Sequence, residues 1–479
     1  MGLLTMSASA QTFTLLHNFT SSTSDGQVPG GGLLIFGSTM YGTTETGGNS
    51  YGGAVYSINT NGTGLTILHN FNGSDGHNPY GNLILIGNVL YGVTYDGGTN
   101  GNGTIFSVST NGSFNPLYSF SASQTNSSGS YTNSDGDHPN GGLLLVGNTL
   151  YGTASIGGIN GSGTIFSIST NGTGFKTLYS FTAQTYLTNN DGNTPNGGLV
   201  LAGNSLYGTA RSGGINDYGT VFAVNTNGTS FTNLYNFAGI FGVGDYPSAG
   251  LILSGRTLYG ETTGINTPPG DGSVFAINID GTGYTNLLFF SYSYNSYVNN
   301  VIVNSNGVFP QGGLIISGNT LYGTANWGGL NGNGTVFAVN IDGSGFIDLY
   351  DFSATTRSTG PVNKIYNYGG AFPTAGVVLS GSTLYGTAFG GGNSTYGTIF
   401  SLTLPPIIAP QMAIIPASAN SNFVVAWPTN ATGFTLESTT NLSSQVWNTN
   451  LPPPVVVNGQ NTVTNAVSGD QQFFRLWHP

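Results

Sequence analysis

A Tyr-Gly pair recurs seven times along the chain, at Tyr41, Tyr91, Tyr151, Tyr207, Tyr259, Tyr322 and Tyr385. Each pair follows a Gly-Leu-Leu-type apolar run and precedes a Gly-Thr-Ile-Phe-type run. Successive copies lie between 50 residues (Tyr41 to Tyr91) and 63 residues (Tyr322 to Tyr385) apart. A period of this size marks one supersecondary unit that stacks on its own copies, as in propeller blades or solenoids.

The third copy shows what the unit is. Gly142-Leu143-Leu144-Leu145-Val146 and Thr149-Leu150-Tyr151-Gly152-Thr153 read as two short strands, joined by the hairpin residues Gly147-Asn148. After a glycine-rich loop, Thr164–Ile168 and Phe175–Phe181 read as two more, joined through Asn171-Gly172. No long stretch has apolar residues at helical spacing, and Gly, Thr, Ser and Asn abound, so the chain is expected to be all-β. A lone sheet with two partly apolar faces must bury both, and sheets stacked side by side do so. The Gly after each Tyr allows that close approach.

Strand types decide between an open array and a closed one. The Leu-Tyr-x-Phe strand recurs at Leu117–Phe120, Leu178–Phe181, Leu234–Phe237 and Leu349–Phe352, with variants ending at Phe71 and Phe290. The seventh copy lacks it, running from Gly397–Leu404 into Pro405-Pro406, while an unmatched Leu15-Leu16-His17-Asn18-Phe19 stands at the N-terminus. The expectation is a seven-bladed β-propeller of four-stranded antiparallel blades over residues 11–404, its last blade completed by the N-terminal strand.

This motif set, with Leu-Tyr-Gly-Thr, Gly-Gly, Gly-Thr-Val-Phe and Leu-Tyr-x-Phe, resembles the GloVer tandem-repeat (choice-of-anchor) proteins of bacteria over about residues 12–404. The resemblance implies a secreted or surface-displayed repeat protein with a variable C-terminal anchoring segment, and it supplies no catalytic residues.

Composition narrows compartment and partners. Residues 1–10 end in Ala8-Ser9-Ala10 and read as a secretory-signal remnant without its basic region. No run approaches the roughly 18 apolar residues that span a bilayer. Cysteine is absent, which excludes thiol chemistry. Six Lys and Arg stand against seventeen Asp and Glu, and charged residues are only 5% of the chain, so nothing displaces phosphate counterions and nucleic acid is excluded as a partner. A surface of Asn, Thr, Ser, Gly and Tyr suits neutral hydroxylated ligands, which makes a glycan or surface polymer the expected partner. The Asn-Gly-Thr/Ser triplets at Asn61, Asn102, Asn171, Asn227 and Asn333 read as hairpin turns.

In a four-stranded blade the second-to-third and fourth-to-first loops share one face, the expected binding face. The former keeps its glycines while its tips vary, and Tyr95, Asp96, Arg211, Trp327 and Phe389 are the candidate ligand-binding residues. The latter carries Asp-Gly-x-x-Pro at Asp25, Asp75, Asp135 and Asp191, which reads as an Asx-type turn. In one copy Asn133, Asp135 and Asp137 alternate as in the first half of a calcium loop, a candidate calcium site without the closing Glu. His77 and His138, in equivalent loops, read as solvent-facing. Loops 121–138, 291–309 (Tyr292, Tyr294, Tyr297) and 353–372 (Arg357, Lys364, Tyr366, Tyr368) are lid candidates.

Catalysis by a propeller requires groups converging near the central channel, and the innermost strands carry no charge, so no enzyme is expected and no cofactor beyond calcium. Glu261 replaces the Thr of Tyr-Gly-Thr and reads as an ion-pair partner of Arg256. After a linker at 405–410, residues 411–479 read as a small β-sandwich resembling fibronectin-III-like modules, with Trp427, Trp447 and Trp477 in its core. The function expected is an extracellular binding protein for glycans or surface polymers. The alternatives are a fibre or surface-layer subunit that self-associates, and a polysaccharide hydrolase or lyase.

Overall fold

The computed structural model describes residues 11–22, 25–239, 244–264, 272–290, 297–298, 301–302, 304–357, 365–405, 412–416, 422–428, 435–441, 447–449, 451–457, 460–466 and 472–477. The expected signal remnant, most of the expected linker, and Tyr292, Tyr294 and Lys364 lie outside them. The described residues contain strands and no helix, hence none long and apolar enough to cross a membrane.

The chain divides at Leu404 into a large unit and a small C-terminal one. In the large unit, seven antiparallel sheets among the described residues repeat one plan. Sheet 1 is Leu34–Phe36, Thr39–Thr44, Ala54–Asn59 and Thr66–Asn70. Sheets 2 to 6 repeat it over residues 84–119, 144–180, 200–236, 252–289 and 315–351. Sheet 7 takes Val378–Ser380, Thr383–Ala388 and Thr398–Thr403 and adds Thr12–Asn18 as its fourth strand.

Two sequence features set the register. The Gly of Tyr-Gly faces the Phe of the third strand, as Gly92 faces Phe106 and Gly208 faces Phe222. A Cβ at Gly208 would sit 2.7 Å from the Phe222 ring, so only glycine leaves room for it. The fourth strand carries a bulge opposite the Ile/Val-Phe pair in sheets 2 to 6 and opposite Val55-Tyr56 in sheet 1, and the N-terminal strand has a corresponding irregularity between Leu15 and His17.

The core lies between sheets rather than within them. Tyr91, Ile105 and Phe120 of sheet 2 pack with Leu143, Leu150, Phe166 and Ile168 at sheet 3. Phe19, Phe71, Phe120, Phe181, Phe237, Phe290 and Phe352, each at the end of a fourth strand, are fully buried, and each such ring contributes about 1.5–3 kcal/mol. Stacked rings link neighbours: Tyr118 on Phe175, Tyr179 on Phe231 and Tyr235 on Tyr284, all near 4.0 Å. Phe13 stacks on Tyr350 at 4.0 Å in the same manner.

The Asp-Gly-x-x-Pro aspartates latch the fourth strand to the following loop. Asp135 accepts from the Ser121 N–H at 2.9 Å and the Tyr118 hydroxyl at 2.6 Å; Asp191 accepts from Thr182 N–H at 2.9 Å and Tyr179 at 2.7 Å. In the two copies where His replaces that Tyr, His17 and His69 lie 3.3 and 3.0 Å from Asp25 and Asp75. In the hairpins, Asn61, Asn171 and Asn227 each accept from the N–H and hydroxyl of the Thr two residues on. Asn102 and Asn333 correct the reading of these triplets as hairpins throughout: they lie in second-to-third loops, donating to the carbonyls of Ser121 and Ser353.

In the C-terminal unit, Ala413–Pro416, Asn422–Pro428, Gln460–Ala466 and Val455–Val457 form one antiparallel sheet, and Thr435–Thr439 pairs with Phe473–Trp477. Trp427 joins Val425, Leu436 and Val463 in its core, and Arg475 bonds Glu437 at 2.7 Å while lying over the Trp447 ring.

Candidate functional site

The residue before each loop proline is the structural centre of the loop face expected to bind. Val28, Asn78, His138, Thr194, Tyr246, Phe309 and Phe372 all hold φ between +53° and +61°, a region that costs a side-chain-bearing residue roughly 1–2 kcal/mol. Hydrogen bonds on both sides explain it. The N–H groups of Val28, Asn78, His138, Thr194, Tyr246 and Phe372 donate to the preceding sheet, at Tyr396, Gly52, Asn102, Ser162, Tyr218 and Asn333. The carbonyls of Val28, Thr194, Tyr246 and Phe372 accept from Glu45, Arg211, Thr263 and Phe389 of their own sheet. Strain of this kind persists where the surroundings over-determine the backbone. All seven side chains are half-exposed, and six of the seven residue types differ from one another.

After the proline, Gly30, Tyr80, Asn140, Asn196, Ser248, Gln311 and Thr374 and the glycines that follow line a cavity of about 320 Å³, with Arg211 beside it. Asn196 Oδ1, Ser248 Oγ and Thr374 Oγ1 are buried there without a protein partner.

Of the sequence candidates Arg211 alone lines this cavity, and the candidates fall into separate groups. Tyr95 and Asp96 lie together with Asp137 and His138. The Tyr95 ring meets His138 edge-on at 4.3 Å. Asp96 lies 3.0 Å from His138 Nε2 and accepts from Asn78 at 2.9 Å. Asp137 is in ion contact with His138 Nδ1 at 2.5 Å. Burial alone would lower the His138 pKa, but Asp137 and Asp96 outweigh it and hold the imidazole at about 9. Burial raises Asp96, and the bonds from His138 and Asn78 outweigh that and lower it. The expectation that His138 faces solvent is therefore corrected: it is a cationic bridge between two sheets, with 22% of its side chain exposed.

Trp327, 42% exposed, lies 5.0 Å from Phe372, whose carbonyl binds the Phe389 N–H. Arg211 lies 5.7 Å above the Tyr246 ring. Asn133, Asp135 and Asp137 serve different protein partners. Asn133 Oδ1 accepts from the N–H groups of Gly136 and Gly158, Asp135 closes its latch, and Asp137 accepts from Ser123 at 2.7 Å. Among the described residues no three His, Cys, Asp or Glu side chains cluster as metal ligands.

Sequence reasoning gave no role to Glu45, which it saw only as a varying loop tip, and did not single out Tyr80 or, His138 apart, the pre-proline residues. Glu45 is pushed up to about 7 by burial, and its Oε1 has no partner. Tyr80, at the cavity wall, is raised to about 12 by burial and then by Glu45 and Tyr95. The signal for the pre-proline residues was available in the fourth-to-first loop, where the position before Pro changes in nearly every copy, and Glu45 lies in the second-to-third loop of sheet 1. The premise that ionisable groups must ride on the innermost strands also fails, because loop residues reach the cavity rim. Glu261 makes no pair with Arg256, which is exposed in the hairpin; it accepts from the Gly313 N–H at 2.9 Å.

Residues 2–186 match the Gloeobacter/Verrucomicrobia repeat. No curated protein matches the sequence. Similar solved structures include a GH74 xyloglucanase from Xanthomonas campestris, at 10% identity over 87% of this chain and 59% of that one, TM-score 0.48. Another is a puromycin-hydrolyzing peptidase from Mycobacterium tuberculosis, at 9% identity over 86% and 60%, TM-score 0.47. A third is a putative 6-phosphogluconolactonase from Bacteroides uniformis, at 13% identity over 67% and 83%, TM-score 0.44.

Proposed function

We propose that this chain, which carries the Gloeobacter/Verrucomicrobia repeat, is a closed seven-bladed β-propeller that binds glycans or other neutral surface polymers outside the cell, on the loop face around its cavity. Closure is supported by the N-terminal strand in sheet 7, by Phe13 on Tyr350, and by the Thr387 hydroxyl donating to the Gly31 carbonyl. The observation that carries the binding reading is the set of seven pre-proline positions. The backbone is held at a strained φ in every copy while the side chain differs in chemistry around the rim, the pattern of a fixed scaffold presenting a specific surface. Amides, hydroxyls and Tyr80 line the cavity, and Trp327 and Phe372 meet on the loops, a combination that hydrogen-bonds sugar hydroxyls and stacks on sugar faces.

The test is a glycan and polysaccharide array with the secreted protein, using Trp327→Ala and Tyr95→Ala as controls for the rim. Binding by wild type and at least tenfold weaker binding by either variant is expected. No binding by wild type, or unchanged binding by both variants, overturns the reading. Release of reducing ends from a bound polysaccharide would replace it with a hydrolase.

A second reading, a self-associating subunit of a fibre or surface layer, is favoured by Ile159, Ile215 and Leu330. These occupy equivalent loop tips and are 70, 59 and 70% exposed. Sedimentation that stays monomeric at high concentration, with no filaments in native extracts, would rule it out.

A further inference from the structure

One inner turn is built backwards. In four copies the Thr of Tyr-Gly-Thr donates its hydroxyl to a carbonyl in the next inner turn. Thr153 reaches Gly197 at 3.1 Å, Thr209 reaches Ala249 at 3.0 Å, Thr324 reaches Ala375 at 3.0 Å and Thr387 reaches Gly31 at 3.4 Å. At the fifth copy Glu261 stands in place of Thr, and the equivalent peptide, Gly312–Gly313, presents the opposite face. Its N–H donates to Glu261 Oε2 at 2.9 Å, and its carbonyl turns away to accept from Gly376 N–H at 2.7 Å. Because a trans peptide points its C=O and N–H in opposite directions, only a rotation of the whole plane exchanges them. The φ angles record that rotation: Gly313 holds +85°, whereas its counterparts Gly32, Gly198, Gly250 and Gly376 are not in the positive region.

We propose that protonation of Glu261 turns the Gly312–Gly313 peptide over, so that this sector of the cavity wall switches between an N–H-inward and a carbonyl-inward state. The chemistry at Glu261 requires two states. A carboxylate accepts an N–H and has nothing to donate, which matches the observed arrangement. A carboxylic acid must place its O–H on an acceptor, and Glu261 Oε1, in a side chain only 1% exposed, has no partner. Turning the peptide brings the Gly312 carbonyl to that proton, restoring the arrangement of the four Thr copies. Glycine at both positions makes the turn sterically accessible.

Glu261 senses pH without interference from other charges. It faces Val274 across the strand pair, Gly323 of sheet 6 and the Gly312–Leu314 turn, none of them ionisable. Burial pushes its carboxyl up to about 8, opposed only by the Gly313 N–H. Acid and neutral solutions therefore favour the carbonyl-inward state, and the N–H-inward state takes over as pH rises through that value. Gly312 lines the cavity beside Gln311, Thr374 and Ala375, so the turn changes the polar group at this wall and breaks the Gly312–Gly376 bond between adjacent inner turns.

The device is independent of any ligand and is tested without one. Crystal structures of wild type, Glu261→Thr and Gly313→Ala at pH 5.5 and pH 9.5 give the peptide orientation directly. The Gly313 amide resonance of labelled protein gives its midpoint in solution. Wild type is expected to turn over between the two pH values, with the resonance titrating near pH 8. Glu261→Thr is expected to hold the carbonyl inward at both. Gly313→Ala, whose methyl opposes φ of +85°, is expected to shift the wild-type midpoint upward by at least one pH unit or to abolish the turn. One orientation in wild type at both pH values, or a turn that persists in Glu261→Thr, overturns the proposal and leaves the polymer-binding reading untouched.

Discussion

His138 offers the sharpest quantitative test of how the loop face is held. Its imidazole lies between Asp96 at 3.0 Å and Asp137 at 2.5 Å, and the two carboxylates hold it at about 9 against an ordinary 6.5. At about 1.36 kcal/mol per pH unit that difference corresponds to about 3.4 kcal/mol, and partial solvent screening reduces it to about 2–3 kcal/mol. A histidine raised in the folded state contributes its full stabilisation below pH 6.5 and loses it as pH climbs through 9. The substitution to use is His138→Asn, because Asn tolerates the left-handed backbone at this position while removing the cation. Urea unfolding followed by intrinsic fluorescence should show the variant less stable by about 2–3 kcal/mol at pH 6, with the gap narrowing steadily between pH 6.5 and 9.5. Adding Asp96→Asn should recover part of the loss at pH 6, since one of the two facing carboxylates is then gone. A gap that is constant from pH 6 to pH 10, or absent at pH 6, would refute the ion-bridge reasoning.

Three other outcomes follow from the packing. Gly208→Ala places a methyl 2.7 Å from the Phe222 ring and should destabilise by about 1–3 kcal/mol through overpacking; an unchanged melting temperature would show that the Tyr-Gly glycine is not steric. Asp348 is raised to about 7 by burial and by Asp351, so its contribution falls as pH rises from 3.8 through 7. Asp348→Asn, matching Asn233 in sheet 4, should raise the melting temperature at pH 8 and change it little below pH 4. Phe19, fully buried at the end of the N-terminal strand, should cost about 3–5 kcal/mol on replacement by Ala. Hydrogen exchange should then quicken first along Thr398–Thr403, its pairing partner, and uniform exchange across all seven sheets would argue against that role.

The parts legible in the sequence are those whose partners lie close along the chain. Tyr-Gly opposite Phe, the Asn-Gly hairpins and the four strand types are encoded within about one repeat, because strand alternation and turn chemistry act over a few residues. The aspartate latch was visible as a turn, although its bond to the Tyr or His of the preceding strand was not. His138 was misread because its partner Asp96 lies one copy away, and no local pattern shows that two loops of adjacent sheets meet. Glu261 was assigned to Arg256 by nearness in sequence, yet Arg256 sits exposed in the hairpin while the Glu261 side chain is buried against the next inner turn.

Sequence alone determined an all-β chain of repeated four-stranded units, with an unmatched strand at the N-terminal end of the repeat array and a missing one in its last copy, since hydrophobic period and glycine placement are local properties. Tertiary structure decided which side chains share a surface. Hydrogen bonds to the preceding sheet hold six ordinary residues in a left-handed backbone, burial between sheets raises the Glu45 and Glu261 carboxyls, and the carboxylates of two neighbouring loops raise His138. Both effects arise only when copies some fifty residues apart are packed together, so neither can be read from any single repeat.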